Sequence, residues 1–423
     1  MNPPAHRRLL DYLFVSFALF VFGATFSIAL AQIALFASLL LFLAYCLTTR
    51  CKPLEGNLKL IYGLIAAGLV WTAVSALAGA TPIASIMALR EEWLYCTLPV
   101  GIFLLRRSRY RDRLLTAFAA GVALIAVYSL IQYLTGLDLA HDKPLVPAGD
   151  FGYRVRGSFT SRMTFGNFYA TSSLVLLGLG VCSPRTGSHR LRTLWFAAGG
   201  LAGLVTVLTY TRGAILALAV GLLLLLCCLR RRHALTALAA LLVAAVVTFA
   251  AVPGLWSRFS RDATRDLNPS YEGSRLFIWH NTARIVAEHP VFGVGPGNFA
   301  PEYAKLLRPD IDKSRRLTHA HNDLLNQTAQ SGLPGGALWA ALWIAVVLTI
   351  WRGRKKHPPG SPAHGLATAA LLGSAAFAVT SIFEATFADE EVRQLLMFVW
   401  ALGLAATYKD QTEPASDNAA ESA

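Results

Sequence analysis

The chain has 423 residues, of which 55% are hydrophobic and only 15% charged, with a mean hydropathy of +0.49 and a formal net charge of +14. Soluble domains carry roughly a quarter charged residues, so an ordinary soluble protein is excluded. A nucleic-acid surface is excluded too, because the basic excess comes with no zinc-finger spacing and no soluble basic domain.

Twelve apolar segments are long enough, or nearly so, to cross a bilayer core: near 9–25, 27–48, 58–79, 90–105, 112–135, 162–182, 192–209, 212–229, 233–252, 333–351, 364–383 and 391–408. The expected fold is therefore an all-α integral membrane protein with about twelve transmembrane helices. Glu91 and Glu92 crowd the start of the fourth segment. Placing the N-terminus inside gathers Arg7, Arg8, Arg50, Lys52, Lys59, the cluster Arg106 to Arg113, Arg185, Arg190, Arg192, Arg230 to Arg232, Arg352, Arg354, Lys355, Lys356 and Lys409 on the cytoplasmic side. These are 21 of the 38 basic residues, and ten of the other 17 lie in one long loop that the positive-inside rule does not count. Both termini are expected to be cytoplasmic. The organisation read from this pattern is nine spans in 1–252, a large outward loop over 253–332, three spans in 333–408 and a polar, disordered tail at 409–423. Ala29-Leu30-Ala31 imitates a signal-peptidase site, but the apolar run before it is too long and a second span follows at once. The six cysteines fall in spans or near cytoplasmic ends, so no disulfide framework is expected.

Two outward loops interrupt the membrane pattern. The shorter, 136–161, holds Lys143, Arg154 and Arg156. The longer exceeds any idle connection, and loops of that size are usually functional. Within it Ser274 is placed to cap a helix that Pro290 ends, with Leu276, Trp279, Ala283, Val286 and Ala287 as its apolar face. Gly293-Val294-Gly295-Pro296-Gly297 follows no βαβ unit and reads as a turn, not a phosphate loop.

The polar stretch from Thr318 to Asp323 leads straight into an apolar run. Ionisable groups at the edge of a bilayer are costly and mark a functional site. Around it the outward side carries His141, His280, His289, His319 and His321, together with Arg90, Arg154, Arg156, Arg162, Arg212 and Arg275. An arginine fork suits phosphate oxygens, and a histidine is suited to take a proton from a hydroxyl. Plainer roles compete. Arg212 is placed to anchor a helix at the headgroups, Arg275 to sit at a solvated helix start, and Arg154 and Arg156 to serve their loop alone. Arg90 has Glu91, Glu92 or Asp389 to pair with. His319, His321 and Asp323 alternate along the chain, yet no further histidine or cysteine sits at a zinc-ligand spacing, so no metal is expected.

His321-Asn322, then nine residues, Gly332, two residues and Gly335 resembles the histidine-to-glycine signature of the O-antigen ligase family. Tyr210-Thr211-Arg212-Gly213, Arg275 with Trp279, and Pro290 to Gly297 resemble other landmarks of the wider superfamily of O-antigen ligases and polymerases. The resemblance implies a GT-C-like membrane protein whose large periplasmic loop contains short helices. It implies glycan transfer in the inner membrane of a Gram-negative cell, from undecaprenyl diphosphate-linked O-antigen to lipid A-core oligosaccharide. Membrane lipids would be its surroundings, with no ATP, metal or other cofactor. On that footing His321 is the expected general base. Arg212 and Arg275 would grip the diphosphate, aided by Arg156, Arg154 and Arg90, and His319, Asn322 and Asp323 would orient the base. Single displacement would invert the anomeric carbon. The rivals are an O-antigen polymerase, a protein O-oligosaccharyltransferase and, more distantly, a transporter or lipid flippase. The last is disfavoured because the polar groups crowd one face and not the midplane.

Overall fold

The computed structural model describes residues 3–50, 58–149, 151–184, 189–251, 264, 266, 268, 271, 273–307 and 317–408. Lys52, Arg185, Lys409 and the expected tail lie outside the described residues. Among the described residues the protein is all-α; extended pairing is limited to an isolated bridge between Pro147 and Tyr153. The helices are α1 (Pro3–Gly23), α2 (Ile28–Thr49), α3 (Lys59–Ala78), α4 (Pro82–Ala88), α5 (Thr97–Leu105), α6 (Ser108–Thr135), α7 (Arg162–Cys182) and α8 (His189–Leu208). They continue with α9 (Arg212–Leu226), α10 (Arg231–Ala251), α11 (Arg275–Glu288), α12 (Phe299–Lys305), α13 (Asp323–Arg354), α14 (Pro362–Phe383) and α15 (Glu390–Ala405).

Seven of them, α2, α3, α6, α7, α8, α13 and α14, are long and apolar enough to cross a membrane. Helices also form at the other apolar segments, as α1, α5, α9, α10 and α15. The segment at 90–105 is not one α-helix. Leu89–Cys96 winds as a 3₁₀ helix, and α5 starts afresh at Thr97. Pro99 accounts for the restart: it falls in the first turn of α5, where its missing N–H has no partner to lose. The two pieces together still rise about 30 Å, at roughly 2.0 Å and 1.5 Å per residue.

The core gathers around α7, which has 89% of its apolar window buried. It packs against α8, α9 and α14, while α15 lies between α14 and α5 and α13 packs on α3. Small residues permit the close approach: a Cβ on Gly178 would stand 2.9 Å from Leu372 Cδ1 of α14. The opposite faces of the outer helices expose Ile33, Leu47 and Val70, which water would penalise and lipid tails would cover. The helix from Ser274 forms, with the Ser274 hydroxyl accepting from Phe277 N at 3.1 Å. Its buried stripe differs from the expected one. Ile278, Asn281, Thr282 and Ile285 face inward while Ala283 and Ala287 are exposed. Thr282 satisfies its hydroxyl on Ile278 O, at 2.8 Å, while the buried Asn281 Nδ2 has no hydrogen-bond partner among the described residues.

Candidate functional site

The expected start of a span at 333 is instead the middle of α13, which runs from Asp323 to Arg354 with a break at Gly332. Gly332 has φ 70 and ψ 179, a region open to glycine alone. Pro334 cannot donate to Gln330 O, so the helix here would leave carbonyls bare. The segment 290–297 supplies the missing partners. Val294 N donates to Ala329 O at 2.9 Å, Gly295 N to Gln330 O at 3.0 Å, and Pro290 O accepts from Leu333 N at 2.8 Å. From α3, Trp71 Nε1 donates to Ser331 O at 2.8 Å and Ser75 Oγ lies 2.9 Å from Gln330 O. The glycine- and proline-rich turn is thus a hook that completes a broken helix. It fixes α13 at residues 329–333, about two turns beyond the end of the histidine stretch.

His321 sits just before the first turn of α13 with φ 49, a left-handed conformation rare outside glycine. Three contacts hold it there. Trp279 Nε1 donates to His321 O at 3.3 Å, Asn322 Oδ1 caps α13 by accepting from Leu325 N at 2.9 Å, and Asn322 Nδ2 donates to Ile382 O at 3.2 Å. Asp323 is fully buried and ties this turn to the link between α14 and α15. It accepts from Ser381 Oγ at 2.5 Å, Thr386 Oγ1 at 2.9 Å and Phe387 N at 2.9 Å. The link carries Glu384, whose Oε1 lies 2.6 Å from His321 Nδ1 and 3.4 Å from His319 Nδ1. The two imidazoles meet edge to face, with centroids 4.5 Å apart.

An ionised carboxylate only accepts, so the short contact places the His321 proton on Nδ1 and leaves the Nε2 lone pair free. Burial pushes the Glu384 carboxyl up. The hydrogen bond from His321 and the positive fields of His321, His319 and Arg275 outweigh it, so the group sits below its ordinary value. His319 is shifted down, chiefly by burial and against the pull of Glu384. A carboxylate, an imidazole oriented by it and a second imidazole therefore share one partly open corner.

Arg212 opens α9 and Arg275 opens α11, and both guanidinium groups reach the same oxygen of Asp266. The Arg275 contact measures 2.6 Å, and Arg275 Nε also donates to Phe383 O at 2.8 Å. Two cations on one carboxylate leave a net positive, anion-ready corner. It joins the histidine corner through consecutive residues, Phe383 and Glu384.

The other arginines are placed differently. Arg156 is committed to Asp138, at 2.8 Å, and to Lys143 O at 2.7 Å. Arg154 lies over the ring of Tyr210, 5.5 Å from its centroid, two residues before Arg212. Arg90 is exposed; of its expected acidic partners Glu92 is engaged by Arg393 at 2.7 Å and Asp389 by Thr164 at 2.9 Å, while Glu91 lies within the field of Arg90. Sequence reasoning missed Glu384 and Asp266. A lone acid closing the apolar run 364–383 was a signal for the first; Asp266 stands among many loop charges and offered none.

No curated protein matches the chain. A family model does, that of the O-antigen ligases, over residues 197–340. The match takes in Arg212, Arg275, the hook and the histidine turn, but stops short of Glu384. Over residues 197–340 the chain is similar to the O-antigen ligase family.

Proposed function

We propose that the protein is a twelve-span glycosyltransferase of the bacterial inner membrane, with its site facing the periplasm, that moves O-antigen polysaccharide from undecaprenyl diphosphate to lipid A-core oligosaccharide. The observation that carries this reading is the junction of a carboxylate-oriented histidine with a two-arginine anion corner at Phe383 and Glu384. Arg212 and Arg275 hold the diphosphate in place of Asp266 and stabilise the charge that grows on it as it leaves. His321 Nε2 takes the proton from the acceptor hydroxyl as that oxygen attacks the anomeric carbon. The carbon–oxygen bond to phosphate breaks, its electron pair departs with undecaprenyl diphosphate, and the configuration inverts. Glu384 steadies the imidazolium so formed. The donor is already activated, so neither ATP nor a metal enters the step.

Purified protein with lipid-linked donor and defined acceptors tests this. His321→Ala is expected to lose roughly 10²–10⁴ in rate, and Arg212→Ala to lose donor binding while still folding. Undiminished transfer by the first, normal donor binding by the second, or retained configuration in the product refutes the corresponding step. Extension of a second lipid-linked repeat in preference to core oligosaccharide would make the protein a polymerase instead.

A further inference from the structure

We propose that His319, His321 and Glu384 form a binding site for a divalent cation of the Zn²⁺ class, and that this cation and the acceptor hydroxyl exclude one another at His321. A His-X-His pair alone offers two ligands; the third is delivered by Glu384, 63 residues further on. One nitrogen from each ring and one carboxylate oxygen lie within 4.8 Å of each other, the one such group of three among the described residues. Bonds of ~2.0–2.1 Å to a tetrahedral zinc imply a ligand–ligand edge of about 3.3 Å. The His319–Glu384 edge is already 3.4 Å. The His321–Glu384 edge, 2.6 Å, spans a hydrogen bond and has to open by less than ~1 Å as the cation replaces the bridging proton.

The donor set selects the metal. Two imidazoles with one carboxylate suit zinc and its neighbours, whereas magnesium and calcium want oxygen alone. Three protein ligands leave the fourth position for water. The rings are 23% and 21% exposed, so a hydrated cation can reach them, while Glu384 at 8% keeps its charge in a poorly hydrated setting. Coordination through His321 Nδ1 moves the one ring proton to Nε2, which then has no lone pair for a hydroxyl proton. The exclusion rests on His321 being the base; the binding does not.

The test uses the full chain in detergent, its affinity tag removed and its metals stripped by chelator. Co²⁺ serves as a spectroscopic probe and Zn²⁺ is titrated by calorimetry. The expected result is one equivalent bound, with the visible bands of tetrahedral Co²⁺, and an affinity about tenfold or more weaker in His319→Gln and Glu384→Gln. His289→Gln, outside the cluster, should bind as the wild type does, and a preserved melting transition certifies each variant. Zn²⁺ should stop wild-type transfer and EDTA should restore it. Absence of stoichiometric binding, or unchanged affinity in both cluster variants, overturns the site. Binding that leaves transfer intact overturns the exclusion. Should His321→Ala transfer normally while the wild type binds Co²⁺, the base assignment falls and the cation site stands.

Discussion

Glu384 orients the His321 ring, as the proposed base requires, from the far side of 63 residues of chain. Replacing it separates charge from geometry. Glu384→Gln retains an acceptor for Nδ1 but removes the charge, so turnover should fall by roughly 10–100-fold with KM for donor little changed. Glu384→Ala should fall further, because the ring also loses its orientation. A pH consequence follows from the depressed carboxyl. A group whose folded value is lowered lends stability that is present above the unfolded value and disappears as pH drops through the folded one. The loss of thermal stability caused by Glu384→Gln should therefore be full near neutrality and should shrink in acid, below the ordinary carboxylate range. Melting curves of both proteins across pH decide this; a gap that widens in acid refutes it. None of this was legible in the histidine motif, because spacing reports neighbours along the chain and Glu384 is a neighbour only in space.

Among the elements, α13 teaches the most. Its apolar run was plain in the sequence because the bilayer demands it, and its beginning was not, because the break at Gly332 is repaired by groups from elsewhere. A Cβ at Gly332 would collide with Val291 O. Gly332→Ala should cost about 3 kcal/mol, from backbone strain and crowding together, and lower the melting point while loosening the hook. Protease sensitivity within 290–297 would report that loosening; an unchanged melting point would refute the repair. The same blindness to partners misplaced the face of α11: periodicity finds a helix, and only its neighbours say which side of it is buried.

Across the whole molecule, the N-terminal half is fastened to the last helix by polar pairs. Glu92 meets the buried Arg393 at 2.7 Å, with the guanidinium also 4.4 Å from the ring centre of Phe387, and Gln32 donates to Glu390 at 2.8 Å. Composition made the membrane class legible, since few other chains combine such hydropathy with so little charge. It could not reveal which charges meet. Removing one partner of a buried pair strands the other. Glu92→Ala should destabilise by about 3 kcal/mol, toward the low end because Glu92 is 25% exposed, and the double variant with Arg393→Leu should recover part of that loss. Additive melting-point losses would refute the coupling.

The position of Glu384 after α14 also sets an order of manufacture. A ribosome delivers His321 before α14 exists, and the ring waits for its carboxylate until α14 and the link behind it are in place. A half-made chain, able already to present both arginines, holds an imidazole without its carboxylate and no finished corner. On the function proposed above, the growing protein is thereby kept from acting on lipid-linked sugar until it is whole.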